Sequence, residues 1–142
     1  MEVMAAADHN FSITATTKER VPALPFLPMK EVVLGKKYDL SIVIAGDKRT
    51  QTLNKTYRNK TYTPNVLSFP LDKEHGEIFL NLRQARREHK ARGESFEYFV
   101  ALLVVHGMLH LKGMAHGSTM EAQERRVLSR FGITNELNGK AS

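Results

Sequence analysis

Three histidines fall within the eleven residues HGMLHLKGMAH, from His106 to His116. Imidazole holds transition metals well near neutral pH, provided several rings can reach one point. On an α-helix, His106 and His110 differ by about 40° in direction and about 6 Å in rise, so both can reach it. On the same helix, His116 would point about 240° away from His110 and lie about 9 Å further along, beyond any shared ion. The helix must therefore stop between them, and Gly113 stands where a left-handed residue can fold the chain back. Three neutral imidazoles suit one Zn²⁺ ion and leave a fourth tetrahedral position to water or substrate, as a catalytic site requires. The expected ligands are His106, His110 and His116. Left without a partner on so apolar a helix, two imidazoles would lose hydration with nothing in return.

The same spacing occurs in zinc peptidases of the H-E-x-x-H-x-x-G-x-x-H type, where the glutamate after the first histidine is the general base. Residue 107 here is glycine, and Glu97 lies too far back along the helix to replace that carboxylate. A peptidase would lack its proton acceptor, so the geometry is expected to serve another substrate. His9, His75 and His89 have no such neighbours and read as ordinary surface residues.

The helix that carries the pair is FEYFVALLVVHGMLHLK, 96–112, apolar on nearly every face and so expected in the middle of the domain. After the Gly113 turn, Ser118 and Glu121 form a candidate capping box. Met120, Gln123, Val127, Leu128 and Phe131 then line one stripe of a last helix that ends before Gly132. Upstream, 9–16 and 38–46 have strand patterns, and Asp47 is placed to cap a helix running to about Tyr57. Residues 65–70 and 77–82 read as further strands, and 83–92 as a helix stopped by Gly93. VPALPFLP, 21–28, carries three prolines and is expected to be an ordered connection. Strands first and helices mostly later argue for an α+β fold, and 142 residues suit one domain, 1–142, with a frayed tail over 134–142.

Hydrophobic residues make up 42% and charged residues 25%, the balance of a globular protein. No cysteine is present, so disulfides and thiolate metal sites are excluded. The start lacks the basic and apolar stretches of a secretory signal, and the longest apolar run, 99–105, is too short to span a bilayer. A cytoplasmic location without membrane attachment is expected. Lys and Arg outnumber Asp and Glu by 21 to 15, for a net charge of +6, which favours a polyanionic partner.

Beyond these patterns, HGMLHLKGMAH resembles the H-G-x-L-H-L-x-G-x-D-H signature of the YbeY family of ribosomal RNA maturation factors. PNVLSFP, 64–70, resembles that family's T-[DN]-V-L-S-F-P strand, LNKTYR, 53–58, its L-N-x-x-Y-R, and GEIFL, 76–80, its G-D-I strand. The matching stretch runs from about 38 to 131, and residues 1–37 match the family poorly. The resemblance implies a small mixed sheet and surrounding helices enclosing the metal-bearing helix, in a zincin-like domain. It implies a metal-dependent, single-strand-specific endoribonuclease acting in 16S rRNA 3′-end maturation and 30S quality control. The partners would be single-stranded RNA, the small ribosomal subunit and assembly factors. An alternative is an RNA-binding biogenesis factor with a structural metal and little nuclease activity.

Three positions depart from the family pattern: Ala115 and Glu77 each stand where Asp is usual, and Pro64 where Thr is usual. Ala115 removes a carboxylate that could orient an imidazole. By the same resemblance, Arg58 matches the family's Y-R arginine and would be the catalytic residue, its guanidinium contacting phosphate and stabilising developing charge. Two basic groups could follow an RNA backbone: Arg83, Arg86, Arg87 and Lys90 on one helix face, and Lys48, Arg49, Lys55, Arg58 and Lys60. The second is preferred because it contains Arg58. Tyr57 and Tyr62 are the nearest aromatic residues for base stacking.

Overall fold

The computed structural model describes residues 2–6 and 10–135. His9 and the last seven residues of the expected frayed tail lie outside them. Strands β1 (Glu2–Ala6) and β2 (Phe11–Ala15) are followed by helix α1 (Phe26–Val33), strand β3 (Asp39–Ile44) and helix α2 (Asp47–Arg58). The hairpin β4 (Val66–Asp72) and β5 (His75–Leu80) comes next, then α3 (Leu82–Glu88), α4 (Phe96–Leu111) and α5 (Ser118–Arg130). The five strands form one mixed sheet in the order β1-β2-β3-β5-β4. β2, β3 and β5 run parallel, while the outer strands β1 and β4 pair antiparallel. The expected α+β class with a small mixed sheet is what forms.

The period-2 pattern of the central strands explains how the layers assemble. Leu40, Ile42, Ile44, Ile78 and Leu80 turn one face toward α4 and α1, where Val100, Val104 and Met108 are fully buried. Ala45, Leu67 and Phe79 turn to the opposite face, packed with Val43, Leu53 and Phe69. Since each such side chain contributes about 1.5–3 kcal/mol when buried, the sandwiched α4 is held chiefly by its apolar faces.

Several local expectations change. Part of the 21–28 stretch enters α1: Pro25 is its N-cap residue and Pro28 lies in its first turn, where backbone N–H groups have no intrahelical partner to lose. β1 was not anticipated. Asp47 is the first residue of α2 and does not cap it; the N-cap is Gly46. The Asp47 carboxylate turns instead to Asn81 (3.0 Å) and Arg87 (2.7 Å), which hold it well below the usual carboxylate range, to about 2. The capping box at Ser118 does not form either, because Gly117 is the N-cap and makes no side-chain cap.

Candidate metal centre

α4 ends as its sequence predicts. Gly113 adopts φ +104°, the Gly113 N–H donates to the His110 carbonyl (2.9 Å), and the Met114 N–H donates to the Leu109 carbonyl (3.0 Å). These two bonds make a Schellman-type stop, which satisfies the last helical carbonyls while reversing the chain. His116 then reaches back over the helix, and Gly117, at φ +151°, leads into α5. The rings of His106, His110 and His116 lie 4.5–4.9 Å apart between centroids. One nitrogen from each sits within 4.8 Å of the other two.

The ring orientations follow from what each Nδ1 meets. His106 Nδ1 lies 2.6 Å from the Glu124 carboxylate, and His110 Nδ1 lies 3.0 Å from the Met114 carbonyl. Both partners are acceptors, so each Nδ1 carries the hydrogen and each Nε2 presents its lone pair. Those two Nε2 atoms face each other at 3.1 Å. Two lone pairs at that separation repel unless a positive charge sits between them. Bonds of about 2.0–2.1 Å at tetrahedral angles place neighbouring ligand nitrogens roughly 3.3 Å apart, so the His106–His110 pair has the spacing of two ligands of a tetrahedral cation, with a His116 nitrogen within 4.8 Å of both. Burial, and then the adjacent His106 and His116 rings, hold His110 below the ordinary histidine range and keep it a neutral donor.

Glu124 is a site residue that sequence reasoning missed. It is 7% exposed, on the buried side of α5 beside Met120, Val127 and Leu128. Its signal was present, since residue 124 is one helical turn beyond Met120 and a carboxylate on an apolar stripe needs a partner. The expected stripe placed Gln123 there instead. Glu124 supplies one imidazole with an orienting carboxylate from the following helix, while the one usual at residue 115 is still missing.

Gly107 answers to packing. A Cβ there would lie 2.9 Å from Ser68 Oγ and 3.1 Å from Ile78 Cδ1, so any longer side chain would have to displace those two to keep α4 this close to β4 and β5. The glutamate that a peptidase carries at this position is absent. Ser68 donates its hydroxyl to the Gly107 carbonyl at 3.1 Å, while its own carbonyl accepts from Arg58 at 2.6 Å. The Arg58 guanidinium also lies over the Phe69 ring, 4.7 Å from its centroid. A cleft of about 700 Å³ unites the three histidines with Arg58, Lys60, Ser68 and Glu124.

The two basic groups part company. On α3, Arg83 and Arg86 pair with Glu19, and Arg87 pairs with Asp47, so three of the stripe's four cations are engaged. Among the described residues, no ion pair engages Lys48, Lys55, Arg58 or Lys60, all exposed. His75 stays at the surface, paired with Asp72 at 2.7 Å, which raises its pKa. His89 is corrected: it is buried, its Nδ1 bonded to the Glu94 carbonyl (2.8 Å), and it packs edge-on to Phe96.

The model of the family described as Endoribonuclease YbeY matches residues 5–132. The chain belongs to the YbeY endoribonuclease family. It is therefore a hydrolase acting on RNA. The endoribonuclease YbeY of Alkaliphilus metalliredigens is 35% identical over 70% of this chain and 74% of the relative. That of Xylella fastidiosa is 36% identical over 74% of this chain and 75% of the relative. The solution structure of a Thermotoga maritima protein shares the fold, with a TM-score of 0.60, 20% identity, and coverage of 85% of this chain and 88% of that one. The zincin-like arrangement of a histidine-bearing helix under a mixed sheet agrees with this membership. No helix among the described residues is long and apolar enough to cross a membrane.

Proposed function

We propose that the chain is a Zn²⁺-dependent, single-strand-specific endoribonuclease of 16S rRNA 3′-end maturation and 30S quality control. His106, His110 and His116 would hold one ion, and Arg58 would be the catalytic cation. The observation that supports this reading best is the open side of the histidine cluster. A structural zinc site is closed by four protein ligands, whereas here three donors border a cleft wide enough for a nucleotide. A structural metal with little nuclease activity accounts less well for that opening. Small-subunit RNA, assembly factors and a cytoplasmic setting follow from the family reading and belong to the same proposal.

Bound there, the ion supplies Lewis acidity toward water or a phosphoryl oxygen. The chain's own residues do the rest. Glu124 and the Met114 carbonyl fix the two helix imidazoles so that their Nε2 atoms face the cleft. Arg58 keeps one arm on the Ser68 carbonyl and stacks on Phe69, which sets the guanidinium at the cleft with little freedom left to lose. From there it can contact phosphate and stabilise the charge that develops during transfer. Cleavage of a single-stranded RNA by metal-loaded protein tests the proposal. Arg58→Ala should keep its metal and its fold while losing about 10²–10³ in rate. Equal activity in Arg58→Ala and His110→Ala would trace the cleavage to a contaminant and refute the assignment.

A further inference from the structure

The cleft does not end at the histidines. It continues to the loop that follows α2, where Lys60 and Tyr62 line it together with Arg58. This loop is pinned along its length. Asn59 closes α2 in the left-handed conformation (φ +57°), and the Lys60 N–H donates to the Asn54 carbonyl at 3.2 Å. Asn54, 1% exposed, donates its side-chain amide to the Tyr62 carbonyl at 3.0 Å. One turn earlier in α2, Gln51 donates to the Thr63 hydroxyl at 2.5 Å, and Pro64 is buried. The Tyr62 backbone is thus held by a buried amide, yet the residue is 61% exposed. Tyr57 is as exposed, at 62%, but its ring packs edge-on to Phe69 at 5.6 Å, and it does not line the cleft.

We propose that Tyr62 is a base-stacking platform, and that it makes the cleft select unpaired RNA. The inference rests on the RNA-cleaving function proposed above and adds the residue that reads strand state. An exposed ring on a pinned backbone, lining the same cleft as Arg58 and Lys60, offers a flat apolar face together with two phosphate-seeking cations, the pairing of features by which single strands are gripped. Every base has a π-face, so the contact is tolerant of sequence. A base inside a duplex has both faces covered by its neighbours and cannot reach the ring without being unstacked. Lys60 and Arg58 would hold the backbone in either case, so the discrimination lies with Tyr62.

The experiment uses full-length, metal-loaded protein in excess over a labelled single-stranded RNA dodecamer, alone or annealed to its complement. The protein concentration at half-maximal rate reports binding, and the plateau rate reports chemistry. Tyr62→Ala should raise the half-maximal concentration for the single strand by roughly 5- to 150-fold with the plateau unchanged. Tyr62→Phe should stay within about twofold of the parent, because stacking needs the ring and not the hydroxyl. A 2-aminopurine placed in the strand should be quenched on binding to the parent and to Tyr62→Phe but not to Tyr62→Ala. The advantage of single strand over duplex should shrink in Tyr62→Ala. If the parent protein neither binds nor cuts the single strand, the functional reading itself fails. If the parent does both and folded Tyr62→Ala matches it in half-maximal concentration and quenching, the stacking role is overturned and the nuclease reading stands.

Discussion

Glu124→Ala is the substitution that tests most directly how the imidazoles are held. The 2.6 Å contact between a 7% exposed carboxylate and His106 Nδ1 fixes that ring's orientation and its tautomer. Removing such an orienting partner typically weakens metal binding by about 10- to 100-fold, which corresponds to about 1.4–2.7 kcal/mol. Truncation also leaves the His106 Nδ1–H without its acceptor, at about 1–3 kcal/mol in the metal-free protein, so absolute stabilities alone would mislead. The difference between metal-loaded and metal-free protein isolates the effect. In excess Zn²⁺ the metal-dependent gain in stability should be smaller in Glu124→Ala by the same 1.4–2.7 kcal/mol. At roughly 3 °C per kcal/mol for a chain of this size, the metal-induced rise in Tm should be about 4–8 °C smaller than in the parent. Glu124→Gln keeps an acceptor oxygen and should lie between the two. Competition with a chromogenic chelator gives the affinity independently of melting. A folded Glu124→Ala protein that binds Zn²⁺ within twofold of the parent would refute the claim that Glu124 prepares His106 for metal.

Gly113→Ala should cost about 1–2 kcal/mol through backbone strain alone, because φ is +104° and a Cβ there meets nothing within 4 Å. Metal affinity should fall with it, since the same turn aims the Met114 carbonyl at His110. Melting in the presence and absence of Zn²⁺ checks both, and an unchanged Tm would count against the strain. The Asp47–Arg87 pair gives a pH dependence whose sign is set by the depressed carboxyl: folded Asp47 titrates at about 2, against about 3.8 for its free value. Its contribution is full above pH 4–5 and is lost as the pH falls toward 2. With the side chains 27% and 48% exposed, that contribution is about 1 kcal/mol. Urea titrations should therefore show Asp47→Asn less stable than the parent by that amount at pH 7, with the gap roughly halved near pH 3 and nearly closed at pH 2. A gap that does not change with pH would contradict the assignment.

The parts of this site that were legible in the sequence are those fixed by short-range geometry. The i, i+4 histidine pair, the glycine stop and the apolar 96–112 helix are all consequences of helical pitch and of one residue's freedom at positive φ. They appear as expected within a residue or so. What escaped was settled by partners distant in the chain. Asp47 has a good capping residue's chemistry, yet Arg87, forty residues later, and Asn81 claim its carboxylate. Three cations of the α3 stripe looked ready for RNA, and Glu19 and Asp47 engage them from other elements. Glu124 lies eighteen residues beyond the histidine it orients. No periodicity within a single segment carries that information.

Gly107 shows how one absence can remove one chemistry and assemble another. Read along the sequence, the residue after the first histidine is where a peptidase keeps its base, and glycine there is only a loss. In three dimensions the missing side chain lets α4 settle against β4 closely enough for Ser68 to donate to the Gly107 carbonyl. The same serine's carbonyl receives Arg58. A two-step connection, Arg58 to Ser68 to Gly107, therefore ties the guanidinium to the residue beside His106. A helix standing further from the sheet would break the Ser68–Gly107 contact and leave the cation's position relative to the imidazoles unset. The glycine that stands where a peptidase keeps its carboxylate is thus also what lets Arg58 be tied, through Ser68, to the residue beside the candidate ligand His106. A cationic cleft with no base at residue 107 suits a phosphodiester, whose developing charge is negative, better than a peptide, whose attack needs a proton acceptor.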